Sequence, residues 1–355
     1  MRSVHLKGFS IRAPGISSNH QLAEVVKTGT LDPEFEAVRL PDETDVELAR
    51  PRLPDDVSYI DRRDKKILNT DLIAAIDCAK ELTQTEFGDT IDATDIPLYM
   101  ATGVVLDRIL GDISPVLTGI FENQEAGSPR NMAELVNESL PPLLGLRCLT
   151  NSINHFIARY TGLLGESTTY GSTSNSAWSA LRDAYSYVAC GRGDYAVVGA
   201  VNEVGIVHSM TYHASPDRHG LSRESAASVF VLLTSGDKPG NSETGSGAEI
   251  REIGGMSRIA FGDNDSGPGV ADQVTVSDDE LFLAGSARVV PHSSTHPGNP
   301  GINWQDLLGY TGVAGVLLNL VSAQVELNAG SAQSAVCLDT DDFGRGNWLR
   351  LVAVD

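Results

Sequence analysis

Several residue groups in the chain have the types that chemistry needs but not the spacing. Gly191-Arg-Gly193-Asp-Tyr-Ala196 fits a loose G-x-G-x-x-A pattern. In that pattern the glycines follow a strand and open a helix, so that a phosphate meets the helix N-terminus. Here they close a helical stretch and lead into an apolar strand, so nucleotide binding is not expected. Asp263-Asn-Asp265-Ser-Gly267 begins like a calcium loop, but the twelfth position, which needs a bidentate glutamate, is Val274. His208, His213 and His219 crowd into one segment without an i, i+4 pair or a zincin carboxylate. The cysteines, Cys78, Cys148, Cys190 and Cys337, form no C-x-x-C pair. Neither a zinc site nor a disulfide framework is expected, and reduced thiols in a cytoplasmic protein fit the pattern.

The elements that would position any site follow from periodicity and turn residues. Residues 64–83 carry Ile67, Leu68, Leu72, Ile73 and Ile76 at helical spacing. Further helices are expected at 21–28, 104–121, 176–191 and 312–327. Compact apolar strands are expected at 4–9, 97–103, 194–201, 229–234, 335–338 and 348–354. Residues 30–60, rich in Pro and Asp, read as a surface loop, as do 122–133 and 262–280. Gly, Ser, Asn and Glu dominate residues 236–248, which marks a linker. We therefore expect an N-terminal half, 1–240, and a C-terminal half, 241–355. Strands alternating with helices predict α/β layers covering a mixed sheet, with a duplicated βαβ plan suggested by element order.

Composition narrows the class of partner. Forty-seven Asp and Glu against 26 Lys and Arg give a net charge of −21, which opposes approach to nucleic acid or an anionic membrane. No run of 18 apolar residues exists, and the first residues have no apolar core of a signal peptide.

Five segments, in order, resemble the motifs of the β-ketoacyl synthase family. Ser167-Thr-Thr-Tyr-Gly-Ser-Thr-Ser174-Asn-Ser-Ala-Trp-Ser-Ala-Leu181 is similar to the turn and helix that carry the family nucleophile, T-A-C-S-S-S-x-x-A-L. Gly191-Arg-Gly-Asp-Tyr-Ala-Val-Val-Gly-Ala-Val-Asn-Glu203 resembles G-x-x-D-x-A-x-x-G-G-x-E, and Asp217-Arg-His-Gly-Leu-Ser-Arg-Glu224-Ser-Ala226 resembles D-x-x-R-D-G-F-V-x-G-E-G-A. Leu308-Gly-Tyr310-Thr-Gly-Val-Ala-Gly315 resembles T-G-H-x-x-G-A-A-G. Asp341-Asp-Phe343-Gly-Arg-Gly346-Asn347 resembles N-S-F-G-F-G-G-x-N. Order and rough spacing hold from about residue 2 to residue 354. The fold this implies is the thiolase-like α-β-α-β-α arrangement, built from two βαβ-type halves.

The resemblance also implies what this chain has lost. The family condenses acyl units with a cysteine thiolate at a helix N-terminus and two histidines. Counting back seven residues from Leu181 puts Ser174 at the cysteine. Tyr310 stands at the second histidine, and Gln305 at the lysine five residues before it. The first histidine corresponds either to Ala284, in Leu283-Ala284-Gly285-Ser286, or to His292, in Pro291-His292-Ser-Ser-Thr295, with the first register favoured. Glu224 reads as scaffold between the halves, and Phe343 as a gate beside the nucleophile or as ordinary core.

Relatives degraded in this way are chain length factors, which pair with an active ketosynthase and wall the tunnel that limits a growing polyketide. The resemblance implies a heterodimer, an acyl carrier protein reached through the ketosynthase, and no cofactor. The helix at 104–121 would reach the interface and tunnel, with Leu106, Ile109, Leu110 and Ile113 on one face at i, i+3, i+4, i+7; ordinary core is the alternative reading. Residues 140–156 resemble the family's interface segment. A serine-nucleophile acyltransferase, a malonyl-carrier decarboxylase and a structural homodimer stay open as other functions.

Overall fold

A computed structural model describes residues 1–40, 43–88, 91–103, 149–171, 175–205, 209, 223–236, 248–255, 280–284, 299–340 and 346–354. The expected helix at 104–121, the interface segment up to residue 148, the histidine and Asp263 segments and most of the 236–248 linker lie outside these residues.

The first strand, β1 (Val4–Arg12), runs on to helix α1 (Asn19–Thr28). Ser18 caps α1 by accepting from the Gln21 N–H, and Gly29, left-handed at φ 65°, ends it. Helix α2 (Thr70–Glu86) starts at Asn69, whose side chain accepts from the Leu72 N–H. A separate 3-10 turn, Asp64–Lys66, precedes it, so the periodic stretch read as one helix from 64 is two elements. Strand β4 (Leu98–Thr102) is followed, among the described residues, by α3 (Ser152–Thr161), β5 (Ser167–Gly171), α4 (Asn175–Ala189) and β6 (Tyr195–Asn202). Next come β8 (Ala227–Ser235), β9 (Ala248–Gly255), β10 (Leu281–Ala284), β11 (Asn299–Pro300), α5 (Trp304–Leu308), α6 (Ala314–Asn328), β12 (Ser334–Thr340) and β13 (Gly346–Ala353).

The expected surface loop at 30–60 is corrected by the structure. It contains β2 (Glu36–Arg39) and β3 (Asp45–Ala49), an antiparallel hairpin whose second strand pairs in parallel with β7 (Arg223–Ser225). The reason is tertiary. Val46 and Leu48 alternate inward to a small cluster with Leu40, Val204 and Ala226, while Glu47 turns out to meet Arg223. Strands this short and acidic are made by a partner about 180 residues away, which local propensity cannot register.

The remaining ten strands form one hydrogen-bonded sheet in the order β11-β10-β12-β13-β9-β1-β8-β6-β4-β5. The run β5-β4-β6-β8-β1 is parallel, parallel, antiparallel, antiparallel, and β11-β10-β12-β13-β9 repeats that sequence of senses. Among the described residues, the runs meet where β1 pairs β9, through His5↔Glu249 and Leu6↔Ala248. Helices α4 and α6 lie between the two runs. Helix α6 packs on β12 and β13 and also on β8, and α2 covers the outer face of β1 and β8. The described residues therefore stack as helix, sheet, helix and sheet, the mixed α/β layering that the motifs imply.

Burial follows the position of each element. Every residue of β4 and β8 is buried, as expected for strands covered on both faces. Helix α6 is apolar nearly all round because both sheet runs contact it. Ser322 is paired within the core: its hydroxyl donates to the Leu318 carbonyl and accepts from the Trp304 indole at 3.0 Å. Cys78 and Cys337 are free and buried, and Cys190 is free and exposed.

Candidate functional site

Three parallel strands end at one level. Thr102 of β4 is opposite Gly171 of β5 and Val201 of β6. The C-terminal ends of parallel strands are where open α/β sheets bind ligands. Strand β5 ends at Gly171 and helix α4 starts at Asn175, so a strand precedes the helix in the segment that contains Ser174. Ser174 itself lies outside the described residues.

The head of α4 is tied to the C-terminal run of strands. Asn347, at the start of β13, donates through Nδ2 to Asn175 Oδ1 at 3.1 Å and accepts from Arg182 Nη2 at 3.1 Å. One amide thus joins the last of the five motifs to the first. Asn202, at the end of β6, is buried and donates to the Ser225 carbonyl at 3.1 Å. Gly312 comes so close that a Cβ there would lie 2.0 Å from Asn202 Oδ1, and its φ of +50° also favours glycine. The second, third and fourth motifs therefore converge through Asn202, Ser225 and Gly312.

Tyr310 is held as backbone. Its N–H donates to the Arg223 carbonyl and its carbonyl accepts from the Ser225 N–H, both at 2.9 Å, forming a parallel bridge with Glu224. The Ser225 hydroxyl donates to the Leu308 carbonyl at 2.6 Å, fixing the turn before Tyr310. Glu224 is fully buried and accepts from the Ser209 hydroxyl at 3.0 Å. It lies where β7 meets the 308–315 segment. Gln305 sits one helical turn before, in α5, half-buried, with its N–H capped by Asn303 Oδ1.

The structure thus brings the frames of Tyr310 and Glu224 together with the ends of β4, β5 and β6. Ala284 is the last residue of β10. Ser174, Phe343, His292, Leu106, Ile109, Leu110 and Ile113 lie outside the described residues.

Some structural residues of the site have no signature in the sequence. Asp71, in the first turn of α2, is buried, binds Arg50, and accepts from the Val204 N–H just past β6. Arg50 also donates to the Val204 carbonyl at 2.7 Å, and Asn69 Nδ2 donates to Glu203 at 2.7 Å. The segment after β6 is therefore clamped by α2 and Arg50. Burial pushes the Asp71 carboxyl up to about 6, against the pull of Arg50. No local pattern announces this pairing. Asn202 and Asn347, by contrast, lie inside the quoted motifs and could have been found there.

Two of the described thiols are held un-ionised by burial. Burial pushes both Cys78 and Cys337 up to about 12, so they are neutral thiols. Cys190 follows the far end of α4, about 22 Å from its head at 1.5 Å per residue. Among the described residues, no group of three or more His, Cys, Asp or Glu could hold a metal ion. No helix among them is long and apolar enough to cross a membrane.

No protein-family model and no curated protein sequence matches the chain. Solved structures do. The ishigamide ketosynthase/chain length factor superposes with a TM-score of 0.72 at 16% identity, over 99% of this chain and 100% of that one. A type II polyketide synthase acyl-carrier protein in complex with its ketosynthase bound to the hexaketide, AntDE:AntF, gives a TM-score of 0.72 at 12% identity, over the whole of both chains. The ketosynthase ApeO in complex with its chain length factor ApeC, from Xenorhabdus doucetiae, gives 0.65 at 15% identity, over 99% and 98%. Over its full length, the chain has the thiolase-like fold of ketosynthases and chain length factors.

Proposed function

We propose that the chain is a chain length factor, a ketosynthase-like subunit that pairs with an active ketosynthase in a type II polyketide synthase and does not condense acyl units itself. One observation supports this reading. Described residues of all five motifs are linked, through Asn347 to the head of α4 and through Asn202, Ser225 and Gly312 to the bridge at Tyr310, while the positions that the resemblance assigns to the chemistry hold Ser174, Tyr310 and Gln305. A serine needs an adjacent base to act as a nucleophile, and a tyrosine cannot do the work of the family histidine in malonyl decarboxylation.

In this reading residues 1–240 and 241–355 are the two halves. Leu106, Ile109, Leu110 and Ile113 wall the tunnel, and Phe343 is its gate. The compact chain fits the highly reducing, polyene-making systems. The ketosynthase covers the edge of β5, whose only partner strand among the described residues is β4, together with exposed Leu149 and Leu164. The acyl carrier protein docks on the ketosynthase, because a −21 surface repels another acidic protein.

Co-expression with a ketosynthase encoded beside it tests the proposal. A stable one-to-one complex that elongates malonyl units, while the isolated chain does not, is the expected result. A chain that ignores every ketosynthase offered and runs as a stable monomer would overturn it.

A further inference from the structure

The turn ahead of α2 carries four cations side by side. In Asp61-Arg62-Arg63-Asp64-Lys65-Lys66 all four basic residues are exposed. The two acids of the turn are already engaged. Asp64 is buried, accepts from the Tyr160 hydroxyl and pairs with Arg159 at 3.0 Å. Asp61 accepts from the Arg63 N–H at 2.7 Å, and its own N–H donates to the Tyr160 hydroxyl at 2.9 Å. Lys65 N–H donates to the Asp61 carbonyl at 3.0 Å and Lys66 N–H to the Arg63 carbonyl at 3.2 Å. These bonds fix the turn against the end of α3.

The cations are not answered in the same way. Among the described residues, none of Arg62, Arg63, Lys65 and Lys66 pairs with a carboxylate. Elsewhere Arg2, Arg12, Arg192 and Arg350 each hold one, as a chain with 47 acids against 26 bases allows. Lys80 adds a cation nearby: its ammonium lies 3.7 Å over the ring of Tyr59, which meets Tyr160 edge to face. The exposed Asp56 feels Lys80 and Lys65, but hydrogen bonds from Ser58 are what chiefly hold its carboxyl below the ordinary value. Like charges one turn apart repel each other. A partner that matched them would relieve a cost the fold otherwise carries alone.

The geometry of the turn describes that partner. Residues three apart in a 3-10 turn stack, here Arg62 with Lys65 and Arg63 with Lys66. Positive charge therefore repeats at about 6 Å, the spacing of carboxylates one turn apart along a helix face. A long polyanion would run on to Asp56 beside Lys65, whereas a short acidic helix stays on the turn. The net charge of −21 slows the arrival of an acidic partner, but in physiological salt charges more than about 8 Å apart are largely screened, so the local cations decide the hold at contact. We propose that the 62–66 turn is a docking surface for an acidic helix of a protein partner. It does not depend on the chain length factor reading.

The test uses the purified full chain and three labelled probes, read by fluorescence anisotropy. One is an alanine-based helix with glutamates along one face, the second has the same glutamates spread around the helix, and the third is an oligothymidylate. We expect saturable binding of the first probe at low salt, weakening as salt rises, and at least about tenfold weaker binding of the other two. Arg62→Glu with Lys66→Glu should weaken the first probe by at least about tenfold. Arg62→Gln with Lys66→Gln should weaken it severalfold and covers the case in which charge reversal disturbs the fold, checked by circular dichroism. Lys27→Glu, at an exposed cation on α1, should leave it unchanged. Absence of saturable binding, equal binding of the spread peptide or of oligothymidylate, an equal loss in Lys27→Glu, or binding unaltered in both pairs of substitutions would each overturn the surface.

Discussion

At the scale of single residues, the chain separates frame from chemistry. Asn347, Asn202 and Glu224 are buried and partnered where the motifs meet, while under the proposed function Ser174, Tyr310 and Gln305 are the wrong types for condensation. Ser174→Ala should therefore leave product formation by a reconstituted pair unchanged. Ser174→Cys should not make the isolated chain active, since the histidines are still missing; mass spectrometry of carrier-bound products reads both. Asp71 gives a prediction of another kind. Its native carboxyl titrates near 6 against an ordinary 3.8, so the folded protein keeps a proton that the unfolded chain releases between those values. Its contribution is fully present below about pH 4 and is lost as pH rises to about 6, by an amount on the order of 3 kcal/mol. Asp71→Asn should flatten that part of the stability profile, measured as the difference in denaturation free energy between the two proteins from pH 4 to 7. Of these residues, the motif-borne ones were legible in the sequence. Asp71 and Arg50 were not, because their pairing exists only once α2 docks against the end of β6.

At the scale of elements, periodicity located what burial dictates. Strands β6 and β8 and the helices between the two runs carry long apolar runs, and the sequence placed each of them within a few residues of its bounds, whereas β9, with Glu249, Arg251 and Glu252 among its residues, was not placed. The β2–β3 hairpin was illegible because its strands owe their pairing to β7 rather than to their own residues. Gly312 shows how tightly elements are set around the site. Gly312→Ala should lower the melting temperature, at a cost of roughly 1–3 kcal/mol, because Asn202 must move and the positive φ is strained. Thermal unfolding followed by circular dichroism measures this. The 104–121 segment offers the test of tunnel against core. In a reconstituted pair, Leu110→Ala should lengthen products with the complex intact if the residue lines the tunnel, and Leu110→Trp should shorten them. If it is core, Leu110→Ala should instead cost ~2–5 kcal/mol of stability and leave product length alone. Ile109→Ala serves as the neighbouring comparison.

At the scale of the whole molecule, the two runs repeat the same strand order and senses, which element order in the sequence foreshadowed. The seam between them was not legible, since the pairing of β1 with β9 joins residues about 240 positions apart, which leaves no local trace. Assembly is the prediction that belongs here. A permanent pair with a ketosynthase should bury more than ~2,000 Å². Size-exclusion chromatography with light scattering should find the heterodimer whenever both chains are present, and a homodimer or aggregate when this chain is alone.

The edge strand that would form such a pair has a further consequence. Proteins that live alone guard sheet edges with charge or proline, yet Ser167-Thr-Thr-Tyr-Gly171 carries neither, and among the described residues β4 is its only neighbour in the sheet. Under the proposed pairing, the partner occupies this edge, and surplus copies of the chain would stick to one another or be cleared. The amount a cell can keep would then be set by how much partner it makes at the same time, and raising this chain alone should yield inclusion bodies.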